Sequence, residues 1–212
     1  MHDVITATKG TLLLGLVLGM RHATDPDHVL AISTIISRDP RVLRAVRTGM
    51  FWGLGHTLTV VVVGTLMLLC HVTVPPRAVL IMDLLVAVML IALGAVGLRA
   101  RAVHPAVHSR AANLLASPIR AFAVGIVHGL AGSAAITLLA LATIGSRTQA
   151  MGYLALFGVG TVAGMMLITI AIAIPLTYAA EKVSNRMPLL IARVSGALSI
   201  AAGLAFATRS IF

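Results

Sequence analysis

Long apolar stretches separated by short polar gaps run the length of this chain. Marked between their polar punctuation, they fall at about 10–36, 49–71, 78–98, 121–144, 150–180 and 188–208. Each reaches the ~20 residues that let an α-helix cross a bilayer while satisfying its own backbone. The pattern predicts an all-α, polytopic membrane protein with six transmembrane helices in a single membrane domain over residues 1–212. Pro26 interrupts the first stretch: it lacks a backbone donor and disfavours helical geometry at Asp25, so the first helix should break there, with Asp25 or Thr24 capping its second half. Lys9 followed by the apolar run Leu12–Met20 has the outline of a signal peptide. No small-x-small site follows, however, and the chain runs on through RHATDPDH into further apolar sequence, so the segment is expected to remain as a membrane helix.

The same pattern repeats internally. GMRHATDPDHVLAI from Gly19 lines up with GIVHGLAGSAAITL from Gly125, setting His22 against His128 and Asp25-Pro26 against Ala131-Gly132. In the same order, WGLGHT from Trp52 lines up with FGVGTV from Phe157, with His56 opposite Thr161. Three spans per half, about 10–98 and about 120–209, would place the second half upside down relative to the first, as two inverted repeats.

Composition and charge sharpen this reading. The chain is 59% hydrophobic and 10% charged, with mean hydropathy +1.04, which leaves almost nothing for an aqueous domain. The formal charge of +10 invites a nucleic-acid reading, but the 16 Lys and Arg sit in short gaps rather than on one face. Arg38, Arg41, Arg44, Arg47, Arg99, Arg101, Arg110, Arg120, Lys182 and Arg186 fall in gaps on one side; Lys9, Arg77, Arg147 and Arg209 fall on the other. By the positive-inside rule both termini should lie outside the cytoplasm, in a protein of the inner (cytoplasmic) membrane. The single Cys70 excludes an internal disulfide or dithiol relay.

The chemistry concentrates where the chain is least able to bear it. Arg21, His22, Thr24, Asp25, Asp27 and His28 stand together inside an apolar span. Each ionisable group at membrane depth costs roughly 2.5–3.5 kcal/mol, so a water- or ion-lined interior position is the expected explanation. Two imidazoles and a carboxylate, with Asp25 available as another, suit a borderline divalent ion such as nickel, copper, zinc or cobalt rather than magnesium or calcium. At about 1.5 Å per residue from the neighbouring arginines, His28, His56 and His128 come to similar depths near the bilayer centre. The metal set read from the sequence is therefore His22, Asp25, Asp27, His28, His56 and His128.

RHATDPDHV, from Arg21 to Val29, resembles the H-x-x-x-x-D-H signature of the nickel/cobalt transporter family. FWGLGHTLTV, from Phe51 to Val60, resembles its second element, which ends in LGHS. GIVHGLAGSAAITLL is similar to a shorter branch associated with urease. The resemblance implies uptake of Ni²⁺, with Co²⁺ as the common second substrate, and carries His22, Asp27, His28 and His56 over as site residues. Departures accompany it: typical members have eight spans with the signature in the second, Pro26 replaces a central Ala, and His128 and Ser133 stand where an acidic LGFDTATE motif is usual.

These residues imply a secondary transporter, not an enzyme, working by alternating access around a mid-membrane site. Its partners would be a divalent metal ion and the lipid bilayer, with no nucleotide and no nucleic acid; a homo-oligomer is compatible with the sequence. The competing reading is a haem-binding electron-transfer subunit using His56 and His128 as axial ligands, which leaves Asp25 and Asp27 without a purpose. An intramembrane metalloprotease would need a glutamate in H-E-x-x-H, and Glu181 lies in a loop. Weaker candidates for a secondary site or path are His2 in Met1-His2-Asp3, Thr24, Asp83 and Ser133. Glycines at small-residue spacing, among them Gly53, Gly55, Gly158 and Gly160, are expected to let helices approach closely.

Overall fold

The computed structural model describes residues 2–37, 41–70, 74–99, 117–130, 144–183 and 186–211, with side chains from Lys9 onward except those of Val183 and Ile211. Among these residues the chain is helical throughout: α1 His2–His22, α2 Pro26–Ile36, α3 Val42–Cys70, α4 Pro76–Leu98, α5 Pro118–His128, α6 Arg147–Tyr178, a π-helical turn Ala179–Val183 and α7 Arg186–Ile211. Three helices open on Pro26, Pro76 and Pro118, where the fixed φ suits a first turn whose N–H would have no partner. Among the described residues, four helical stretches, Val42–Cys70, Pro76–Leu98, Arg147–Lys182 and Arg186–Ser210, are long and apolar enough to cross a membrane.

The break in the first predicted span lies between His22 and Pro26. Neither predicted cap uses its side chain for that purpose. Asp25 occupies the N-cap position of α2 but makes no side-chain cap bond, because its carboxylate accepts from His22 instead. The Thr24 hydroxyl turns back to the Arg21 carbonyl at 2.6 Å. α1 also begins eight residues before the apolar run does, at His2. Of the predicted fourth span, α5, Gly129 and Leu130 are seen; its continuation, with Ser133, lies outside the described residues, as does the side chain of His2.

Helices cross where side chains are absent. A methyl on Gly19 of α1 would overlap the Phe157 carbonyl of α6 and lie 2.9 Å from Thr161 N; one on Gly125 of α5 would overlap the Trp52 carbonyl of α3 and lie 2.9 Å from His56 N. From the other side, Gly55 faces the Phe122 carbonyl and Ile126 N at 3.1 Å, and Gly160 faces the Leu16 carbonyl and Met20 N at 3.1 Å. The α1–α6 and α5–α3 crossings thus use matching partners, in the pairing the sequence repeat aligns.

α3 and α6 are antiparallel: Gly53 faces Val162, Thr57 packs on Gly158 and Thr65 approaches Met151. α4 and α7 meet through Gly94 and Gly196, and the Ser199 hydroxyl donates to the Leu90 carbonyl at 2.8 Å. Two buried apolar clusters form at opposite ends of this bundle. One gathers Ile32, Ile35, Trp52, Leu90, Leu93 and Leu176 near the end bearing Arg41, Arg44 and Arg47; the other gathers Val60, Ala150, Tyr153, Leu154 and Phe157 near Arg147. Leu13, Leu43, Leu66, Ile81, Val88 and Val159 remain more than half exposed on the outer faces, an apolar surface suited to lipid.

Candidate metal centre

Between the two apolar clusters four imidazoles converge. His22 comes from the end of α1, His28 from the first turn of α2, His56 from the middle of α3 and His128 from the end of α5, and their exposures are 7%, 2%, 0% and 0%. Ring centroids of His28 and His128 are 4.0 Å apart, those of His22 and His28 4.9 Å, and those of His22 and His56 4.9 Å. The break after His22 makes this possible: it turns the chain so that the last residue of one helix and the first turn of the next face a common point.

Two carboxylates stand behind the rings. Asp25 lies 2.9 Å from His22 Nδ1, while Asp27 meets His28 Nδ1 at 3.1 Å through one oxygen and His128 Nε2 at 2.8 Å through the other. A carboxylate accepts, so each of these three ring nitrogens carries the proton. In the neutral imidazole, His22 Nε2 is then bare and accepts from His56 Nε2, 2.9 Å away. What remains is a bare nitrogen on His28 (Nε2), His56 (Nδ1) and His128 (Nδ1), and among the described residues these are the imidazole atoms that are buried with no partner. The hydrogen-bond pattern thus resolves into protons committed to carboxylates or a neighbouring ring, and lone pairs committed to nothing.

Such a set fits a cation. His22, His28 and His56 each offer an atom within 4.8 Å of the others, and so do Asp27, His28 and His128, the two groups sharing His28. An ion that displaces the His56 N–H from His22 would also meet the lone pair of His22 Nε2. Carboxylates that hold the far nitrogen of a ligating imidazole fix its tautomer and raise its basicity.

The six residues read from the sequence as a metal set therefore lie together. Of the weaker candidates whose side chains are described, Thr24 closes the turn at Arg21, and Asp83 on α4 accepts from the Ser210 hydroxyl of α7 at 3.1 Å, so neither joins them. A haem between His56 and His128 finds no support, because His28 stands against both rings with centroids 5.2 and 4.0 Å away. Sequence reasoning missed Trp52 as a site residue. Its ring is fully buried, stacked on His28 at 6.2 Å and 14° and packed on His128 at 5.5 Å. The signal was its place one helical turn before His56.

Fold and site together define a multi-pass membrane protein with a buried imidazole–carboxylate centre able to hold a cation. The profile of the NicO family, described as high-affinity nickel-transport protein, matches residues 9–97. The chain is 36% identical over 182 residues to the urease accessory protein UreH of Bacillus sp. (strain TB-90), covering 81% of this chain and 80% of that one. It is 37% identical over 71 residues to the high-affinity nickel transport protein of Cupriavidus necator, covering 32% of this chain and 20% of that protein. No solved structure matches. The chain belongs to the NicO nickel-transport family, and it is a transport protein rather than an enzyme.

Proposed function

We propose that the chain carries Ni²⁺ into the cell across the cytoplasmic membrane, with Co²⁺ as a second substrate, by exposing a mid-membrane centre alternately to the two sides. The observation that carries this reading is the set of buried, uncommitted ring nitrogens on His28, His56 and His128, beside the close pair His22 and His56. Imidazole nitrogens suit nickel and cobalt. Asp25 and Asp27 offset the ion's charge while orienting His22, His28 and His128.

Matching glycine crossings favour two inverted halves, the first around α1–α4 and the second around α5–α7, which rock about the ion. Because only a deprotonated ring nitrogen ligates, acidification should weaken binding. The experiment is nickel binding by calorimetry on purified protein, with nickel flux into proteoliposomes. Wild type should bind and transport; His22→Ala, Asp27→Ala and His28→Ala should be folded but inactive in flux, and His56→Ala should bind more weakly. Unchanged flux in all three inactive candidates would remove the centre from the transport path.

A further inference from the structure

Two aromatic side chains touch the converging imidazoles from α3 and α6. Phe157 of α6 packs on His22 with ring centroids 5.6 Å apart, and Trp52 of α3 packs on His128 at 5.5 Å. The sequence repeat aligns these residues pairwise: His22 with His128, and Phe157 with Trp52. Each aromatic ring therefore rests on the imidazole of the other half, in two contacts of nearly equal length. Both rings are buried, at 1% and 0% exposure.

Their direction separates them. Side chains on a helix lean toward its N-terminus, and α3 and α6 are antiparallel. Trp52 therefore leans toward the end bearing Arg41, Arg44 and Arg47, and Phe157 toward the end bearing Arg147. Each belongs to the apolar cluster at its own end: Trp52 with Ile35, Leu90 and Leu176, and Phe157 with Val60, Tyr153 and Leu154. The imidazoles lie between the two clusters, so an ion leaving in either direction meets one aromatic ring and the packed side chains behind it. Each exit also holds a buried polar atom with no partner: Trp52 Nε1 on one side, and on the other the hydroxyl of Tyr153, whose ring stacks on Phe157 at 6.4 Å.

We propose that Trp52 and Phe157 are the two gates of the ion path, Phe157 closing the imidazole centre from the Arg147 end and Trp52 closing it from the Arg41 end, with neither ring acting as a ligand. This rests on the transport reading above, but it makes a claim about sidedness that nickel flux alone does not test. With both rings in place the imidazoles are covered along the path from either end, while the Asp25 and Asp27 carboxylates stay partly exposed at the turn between α1 and α2. Rocking of the two halves then withdraws one ring from its imidazole while the other stays packed, and the unpartnered Trp52 N–H and Tyr153 O–H meet water as their side opens.

The test uses Cys70→Ser as the parent, which has no cysteine, and adds Thr161→Cys as a reporter. Thr161 is buried and sits one turn beyond Phe157 on the same face of α6, so it lies behind that ring as seen from the Arg147 end. The protein is reconstituted in sealed vesicles, and a charged, membrane-impermeant methanethiosulfonate is added to one face or the other. Phe157→Ala should raise labelling roughly tenfold from the Arg147 face only, and Trp52→Ala by a similar factor from the opposite face only. Phe157→Trp and Trp52→Phe, which keep an aromatic plug, should label as the parent does. Where an alanine variant gives no folded protein, Phe157→Val and Trp52→Leu replace it with the same expected sides. Opening of the same face by both variants, or unchanged labelling in both, overturns the assignment. Labelling needs no nickel, so a wild-type protein that neither binds nor moves nickel would refute the transport reading while the sidedness result still stands on its own.

Discussion

Asp27 holds two imidazoles at once, and that double duty sets the tautomers on which the proposed metal binding depends. One oxygen takes the proton of His28 Nδ1 and the other that of His128 Nε2, leaving the opposite nitrogen of each ring bare. Asp27→Asn keeps the size of the side chain but places an amide N–H where one imidazole must donate, so that ring is turned or its tautomer reversed. Nickel affinity by calorimetry should fall about 10–100-fold, with circular dichroism unchanged. Asp25→Asn should cost less, because Asp25 serves His22 alone and its side chain is 38% exposed against 19% for Asp27. At this scale the sequence was legible where residues are close in the chain. His22, Asp25, Asp27 and His28 declare themselves by being polar in an apolar span. That one carboxylate would serve an imidazole on α2 and another on α5 was not legible, because it depends on where two distant helices lie.

Helices in this bundle approach through glycine, and the approach places the imidazoles. Gly125 lies against the Trp52 carbonyl and His56 N, so the contact that brings α5 onto α3 also sets His128 beside the centre. A branched side chain there must push the two helices apart. Gly125→Val should lower stability by roughly 1–3 kcal/mol in thermal unfolding and reduce nickel binding, since His128 moves with α5. Gly10→Ala is the control: nothing lies within 4 Å of a methyl at that position, and α1 should tolerate or gain from it. The break before Pro26 was readable from the proline itself, while the extension of α1 back to His2 was not, because the residues before Lys9 are too polar to register as part of a span. The use of Asp25 was also hidden. N-capping and imidazole binding compete for the same carboxylate, and only the position of His22 shows which prevails.

For the whole molecule, the arginine-rich gaps and the six spans expected from the sequence predict that both termini lie on the outer face. A protease site added at each terminus should be cut by external protease in right-side-out vesicles and protected in inverted ones; opposite behaviour of the two ends would require an odd number of spans. The sequence by itself determined that this chain lives in a bilayer, that its first span breaks at Pro26 and that imidazoles and carboxylates crowd at the break. Those facts are local: a run of apolar residues, a missing N–H and a crowd of polar groups each act over one or two helical turns. Tertiary structure decided which histidine shares a proton with which carboxylate, that Trp52 and Phe157 cover the centre from opposite ends, and that matching glycines set the spacing of the helices. Those facts depend on contacts between residues a hundred positions apart, which packing alone brings within hydrogen-bonding reach.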